Sequence, residues 1–210
     1  MMKNINISGN FNTAERELEV VKLLLEKNGV KYANVEKCEN ADDGDVVVNA
    51  YGKIVIIEVK EEDYLTRFLK YSQVGIDFLS VFTFKPNTES DIKHGVKRPN
   101  MYEKLRSSID MSKHFKRGKL FYSKSHLWLF YSQYNDEFKY AEFFDGEGIK
   151  SDEFRNYLFK ECMFAVNNKP SEQLSFNDGY QSAVIYVDSN DAQLNKYRVD
   201  DLKAFIEKIQ

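Results

Sequence analysis

The stretch DVVVNAYGKIVIIEVK, Asp45–Lys60, constrains the fold more than any other part of the chain. Val46–Val48 and Ile54–Val59 are β-branched runs, and the intervening NAYGK has the composition of a turn, so the two should pair as a hairpin. A run this apolar reads as the middle of a sheet, yet it carries Asp45 at its start and Glu58 and Lys60 at its end. Charges buried there are costly unless paired or bound to a metal. Register decides whether they meet. If Tyr51 and Gly52 form a two-residue loop, Ala50 faces Lys53, and counting outward sets Asp45 opposite Glu58. Opposed residues share a face with Cβ atoms roughly 5 Å apart. Lys60, two residues beyond Glu58, points the same way. Gly52 also fits a three-residue loop with a bulge, which would slip the pairing by one and part the two acids.

Two carboxylates at that separation resist ionising together unless a divalent cation or an ammonium compensates them. Hard oxygen ligands so spaced suit Mg²⁺, and Mn²⁺ is expected to substitute. A metal held by Asp45, Glu58 and the carbonyl of Val59 would bind a scissile phosphate and acidify a water. Lys60 would orient that water or stabilise the charge of the pentavalent state. The reaction would be phosphodiester hydrolysis. The plainer alternative makes Asp45 a strand cap and Glu58–Lys60 a surface pair at a strand end.

Around the hairpin the pattern is helix, strand, strand, helix, strand. Asn12 followed by Glu15 has N-cap spacing, TAERELEVVKLLLEKN puts Leu18, Val21 and Leu25 on one helical face, and Gly29 supplies a stop. EEDYLTRFLKYSQ predicts a helix that opens on three acids, and IDFLSVFTF predicts an inner strand ended by Pro86. Further on, a helix is expected around YEKLRSSIDMSKHF, then a meander of KLFYS, HLWLFYS and FKYAEFF. A helix from Ser151 through Cys162, a strand SAVIYV and an amphipathic terminal helix VDDLKAFIEKI complete the reading.

The net charge of −3 hides an asymmetry. Residues 93–119 hold nine basic side chains, Lys93, Lys97, Arg98, Lys104, Arg106, Lys113, Lys116, Arg117 and Lys119, against only Glu103 and Asp110. From Gln133 to Gln210 there are nine basic against fifteen acidic residues. A basic band of this kind could meet phosphates, or it could be a solvated helical face. Tyr102 and Phe115 could stack on bases, although core packing is the commoner fate of such rings.

Other chemistries find little support. Cys38 and Cys162 stand alone, without CxxC or a nearby His pair, and are expected to be small buried side chains. No phosphate-binding glycine loop occurs, and DGEG at 145–148 lacks the ligand positions of a calcium loop and reads as a turn. His94 and His114 have no recognisable partner spacing. MMKNINISGNFN has no apolar h-region, and no stretch approaches the about 18 apolar residues of a membrane span, so a cytoplasmic location without membrane contact is expected.

Asp45, twelve residues, then Glu58-Val59-Lys60 resembles the PD-(D/E)XK nuclease motif, with Gly44 standing where the name has proline. The order of elements resembles that superfamily's α-β-β-β-α-β core. AERELEVVKLLLEKNG is similar to the first helix of archaeal Holliday-junction resolvases, and the likeness runs through VGIDFLSVFTFK, covering roughly residues 10–86. It implies that Glu15 is a further catalytic and metal-site acid and Arg16 a phosphate contact. On its own, an acid in a first turn simply stabilises the helix by ~0.3–1 kcal/mol.

The resulting expectation is an α/β chain with a restriction-endonuclease-like core (α-β-β-β-α-β mixed sheet) over 1–86 and a C-terminal α+β extension over 87–210. The extension would hold the basic segment 93–119, a β-meander and the C-terminal helix. The implied activity is a Mg²⁺-dependent DNA endonuclease, restriction-type or selective for branched DNA. Lys97, Arg98, Lys104, Arg106, Lys113, Lys116, Arg117 and Lys119 would join Arg16 on double-stranded or branched DNA, and a homodimer would bring two centres to opposite strands. The alternative is a non-catalytic nucleic-acid-binding or scaffolding protein on a degenerate nuclease fold.

Overall fold

The structure is a computed structural model that describes residues 13–40, 43–81, 115–117, 123–168, 174–177 and 182–209. It is α/β. The chain divides into two compact units, one of residues 1–74, 122–154 and 188–210, the other of residues 75–121 and 155–187.

The first unit is built on a five-stranded mixed sheet. Helix α1, Thr13–Lys27, buries Val20, Val21, Leu24 and Leu25, and ends at Gly29 with φ +67°. Strand β1, Tyr32–Lys37, follows, then β2, Val46–Ala50, and β3, Lys53–Glu61, in antiparallel succession. Tyr51 and Gly52 both have positive φ, the two-residue primed turn whose twist matches that of the strands it joins. That turn pairs Ala50 with Lys53 and Val46 with Ile57, as the two-residue loop requires, and no bulge intervenes.

After β3 the chain turns through a short π-helical segment, Tyr64–Phe68, into α2, Leu69–Tyr71. The expected helix over EEDYLTRFLKYSQ is shorter than its sequence pattern because Glu61 stays in β3 and Asp63 becomes the cap. The Asp63 carboxylate accepts from the Thr66 N–H at 2.7 Å, which holds its carboxyl below the usual range. Strand β4, Gln73–Val81, is the predicted inner strand, but its neighbours are β5, Phe115–Arg117, and β9, Ser182–Asp188. These belong to a four-stranded sheet ordered β5-β4-β9-β8, with β8 at Leu174–Asn177.

The strand beside β3 is β6, Leu127–Tyr134, which runs parallel to it and pairs Glu58 with Trp128 and Lys60 with Phe130. A hairpin turn at Asn135–Asp136 then leads to β7, Glu137–Asp145, so the order is β1-β2-β3-β6-β7. A one-turn helix α3, Gly146–Ile149, occupies the DGEG segment, and α4, Asp152–Asn167, follows with the Ser151 hydroxyl accepting from the Phe154 N–H at 3.3 Å. The remaining elements are α5, Ala192–Asn195, and α6, Leu202–Lys208, the latter capped by Asp201.

One face of the five-stranded sheet carries the aliphatic core. Val46, Val48 and Ala50 of β2, Val55, Ile57 and Val59 of β3, and Leu127 and Leu129 of β6 pack with α1 and with Leu202 and Ile206 of α6. Because side chains alternate along a strand, Glu58, Lys60, Trp128 and Phe130 project to the opposite face. That second face is aromatic, with Trp128, Phe130, Phe144 and Phe154 all buried. The Phe130 and Phe144 rings meet edge to face at 5.6 Å. Both cysteines are buried, as expected, and burial pushes the Cys162 thiol up to about 12. Among the described residues no helix is long and apolar enough to cross a membrane.

Candidate active site

Asp45 stands just before β2, outside its regular pairing with β3. Its N–H donates to the Ile57 carbonyl at 3.0 Å although Val46 is the register partner of Ile57, so the chain bulges at Asp45, and its carbonyl accepts from the Cys38 N–H at 2.9 Å. The side chain turns inward over the hairpin, and its Oδ2 accepts from the Val59 N–H at 2.8 Å. A carboxylate held by a backbone N–H is charge-assisted and fixed in orientation.

Glu58 is fully buried, and the Lys60 ammonium stands 2.7 Å from its Oε1. Lys60 keeps 22% of its side chain exposed, so this pair reaches solvent only through the cation. The Glu58–Lys60 contact is thus no surface pair. A buried carboxylate stays charged only with such compensation, which Lys60 supplies from two residues along the same strand.

Lateral neighbours on a sheet lie about 4.8 Å apart, and here they form a row. Glu58, Trp128 and Phe144 follow one another across β3, β6 and β7, and Lys60, Phe130 and Glu142 form the next row on the same face. Glu58 and the Lys60 ammonium therefore stand at the edge of a wall of aromatic rings.

Glycine at 44 has a local reason. A Cβ there would come within 2.5 Å of Ile56 Cγ2 and 3.2 Å of Ser125 Oγ, so any larger residue before Asp45 would have to displace the Ile56 side chain or the loop. The segment ahead of β6 anchors the same loop. Lys124 N–H donates to the Asp43 carbonyl at 3.0 Å, the Ser123 hydroxyl donates to that carbonyl at 3.2 Å, and the Lys124 ammonium pairs with the Asp43 carboxylate at 2.9 Å. Ser123 and Ser125 are buried and hydrogen-bonded to each other through their hydroxyls. His126 completes the lacing, because its ring Nδ1 accepts from the Ile56 N–H at 3.0 Å and its backbone N–H donates to the Ile56 carbonyl at 2.8 Å. Burial, and after it the charge of Lys150, lower the His126 pKa below its ordinary 6.5.

The structure pairs Glu58 with Lys60 and ties the Asp45 side chain to the backbone of the same strand. Val59 contributes its N–H to Asp45 while its side chain enters the aliphatic core. Glu15 and Arg16 lie elsewhere. Arg16 pairs with Glu61 at 2.6 Å and donates to Gln133 at 3.3 Å. Glu61 is odd-numbered on β3 and so points to the helix side, away from Glu58. Glu15 is exposed and borders an open recess with Thr13, Ala14, Leu18 and Lys37. Among the described residues no three His, Cys, Asp or Glu side chains form a group able to hold a metal.

Of the basic segment, Lys116 and Arg117 lie on β5, opposite Ser80 and Leu79 of β4. Lys97, Arg98, Lys104, Arg106, Lys113 and Lys119 lie outside the described residues, as do His94, His114 and nearly all of the helix expected around YEKLRSSIDMSKHF. Sequence reasoning missed Ser123, Ser125, His126 and Trp128, all on or just before β6. The one signal that could have drawn attention to them is the unbroken apolar run LWLFY, the mark of a strand covered on both faces. Compared with family models, with curated proteins and with solved structures, the chain finds no match in any of the three.

Proposed function

We propose that this chain is a Mg²⁺-dependent DNA endonuclease of the PD-(D/E)XK type, restriction-type or selective for branched duplexes. The observation that carries the reading is what meets at the end of β3, where the Lys60 ammonium lies 2.7 Å from the buried Glu58 carboxylate and the Val59 N–H between them in sequence holds the Asp45 carboxylate at 2.8 Å. The α1-β1-β2-β3 succession ahead of a parallel neighbour strand is compatible with the nuclease core that the motif implies.

The donor set fits a hard cation. Two carboxylates on adjacent strands, with the Val59 carbonyl as a third oxygen, are the ligand type that Mg²⁺ or Mn²⁺ prefers. When bound, the cation supplies charge neutralisation at the phosphate and acidifies a water. Asp45 and Glu58 would hold it, the Val59 N–H fixing the orientation of Asp45. Lys60, released from Glu58 once a cation shares that carboxylate, would hold the attacking water or meet the growing charge on phosphorus. Lys116 and Arg117, with the other basic residues of 93–119, would neutralise flanking phosphates. Cutting both strands would call for a homodimer.

A second reading has its own support. Glu58 is fully buried and already compensated by Lys60, an arrangement that needs no metal and suits a nucleic-acid-binding scaffold on a degenerate nuclease fold. Incubation of the purified protein with plasmid and with a four-way junction, in Mg²⁺, Mn²⁺ or EDTA, separates the two. Metal-dependent cleavage of either substrate supports the endonuclease. Binding without cleavage under any divalent metal supports the scaffold.

A further inference from the structure

Each residue of an inner strand turns its backbone N–H and carbonyl toward a neighbouring strand, and where that neighbour has ended the N–H needs another acceptor. Strand β6 begins at Leu127, the partner of Ile57, so its regular pairing stops short of Ile56. The His126 ring fills the place. Its Nδ1 accepts from the Ile56 N–H at 3.0 Å, while the His126 backbone N–H holds the Ile56 carbonyl at 2.8 Å. One residue thus grips both backbone polar groups of Ile56. Only a neutral imidazole can do so, because an imidazolium carries a proton on each nitrogen and has no acceptor left.

Ile56 also backs the loop that carries Asp45. Its Cγ2 would lie 2.5 Å from a Cβ at Gly44, and the carbonyl of the next residue, Ile57, accepts the Asp45 N–H at 3.0 Å. Glu58 lies two residues further along β3 and projects to the same face as Ile56. We infer that His126 is a positioning residue of the Asp45 and Glu58 site and makes it proton-sensitive: a proton on Nδ1 breaks the bond to Ile56 and frees the stretch of β3 against which the Asp45 loop packs. As regulation of that site, the inference rests on the nuclease reading. The ring is half-buried, so solvent can deliver the proton. Of the charges around it, Lys150 opposes the proton and Glu147 favours it, and these two pair with each other at 2.7 Å. Asp43 and Lys124, from the loop before β2 and the approach to β6, pair at 2.9 Å, and Glu58 of β3 pairs with Lys60. Among these groups the imidazole is the one whose charge ordinarily changes near neutral pH.

A titration of ¹⁵N-labelled wild-type protein from about pH 8 to about pH 5 tests the coupling without any substitution. The amide cross-peaks of Ile56, Gly44, Asp45 and Val59 should move together, at one midpoint shared with the His126 ring protons. His126→Asn, whose side-chain oxygen can stand in for Nδ1 and takes up no proton, should abolish that common movement. Plasmid cleavage in Mg²⁺ should fall about tenfold per pH unit below the same midpoint in the wild type, and the acid limb should be displaced in His126→Asn. Movement of Ile56 alone overturns the coupling, and cleavage of DNA in that case leaves the nuclease reading standing. Coupled movement with no cleavage of any DNA in Mg²⁺ or Mn²⁺ keeps the proton link and overturns the nuclease reading. An acid limb that is the same in both proteins overturns the role of His126 at the site. No coupled movement and no cleavage overturns both.

Discussion

The Val59 N–H donates to the Asp45 carboxylate at 2.8 Å, across the open end of the β2–β3 hairpin. This bond lets structural and chemical roles of Asp45 be separated. Asp45→Asn keeps an oxygen acceptor for Val59, whereas Asp45→Ala leaves that N–H without one. Stability should stay close to wild type in Asp45→Asn and fall by about 1–3 kcal/mol in Asp45→Ala. Under the proposed endonuclease reading, cleavage should fall by about 100-fold or more in both, because each removes the charge that a metal would need. Urea unfolding and plasmid nicking rates check the two halves, and full activity in a well-folded Asp45→Asn would remove Asp45 from the chemistry.

The Glu58–Lys60 pair makes a second expectation. Lys60→Met leaves a fully buried carboxylate without its ammonium, and breaking such a pair costs about 3–5 kcal/mol, discounted here because Lys60 is partly exposed. Glu58→Gln with Lys60→Met removes both charges and should recover most of the loss. A double-mutant cycle by urea unfolding measures the coupling. Equal losses in the single and double variants would mean that the carboxylate is compensated chiefly by something other than Lys60.

The pairing of the β2–β3 hairpin was legible in the sequence, because turn chemistry at Tyr51-Gly52 sets its register, but the departure from that register at Asp45 was not. Neither was strand β1. YANVEK buries little besides Val35, so it lacks the apolar alternation by which strands are recognised. The partner of β3 was not legible either. HLWLFYS reads locally as one more aromatic strand, and nothing near it states that it runs parallel to a strand some seventy residues earlier. Trp128 therefore stayed hidden beside Glu58. The strand IDFLSVFTF was recognised as a strand, but its neighbours β5 and β9 are fixed by long-range pairing that no local pattern encodes.

Gly44 offers a packing test of the loop that aims Asp45. A methyl group added there would meet Ile56 Cγ2 at 2.5 Å, so Gly44→Ala should cost about 1–3 kcal/mol through overpacking. Ile56→Ala removes the colliding carbon, and the double variant should be less destabilised than the two single losses added together. Thermal unfolding of the three proteins settles it. Additive losses would show that the loop yields instead of the Ile56 side chain.

His126 gives the first unit a pH dependence whose sign follows from one hydrogen bond. Nδ1 accepts from the Ile56 N–H at 3.0 Å, so it carries no proton in the folded chain, and the neutral ring keeps its proton on Nε2. Burial is the larger cause of the lowered pKa and the Lys150 charge the second, while Glu147 acts in the opposite direction. Above the ordinary value of 6.5 both folded and unfolded states hold the ring neutral, and the stabilisation is fully present. As pH falls below that value the unfolded chain takes up a proton that the folded chain refuses. Stability is then lost progressively until the pH passes the lowered folded pKa. Urea midpoints measured between about pH 8 and pH 5 should decline on the acid side in the wild type. His126→Asn, which can still offer an oxygen to Ile56 and cannot be protonated, should flatten that part of the profile. A decline of the same size in the variant would assign the acid sensitivity to carboxylates elsewhere, and would leave the His126–Ile56 bond as a purely structural link between β3 and the approach to β6.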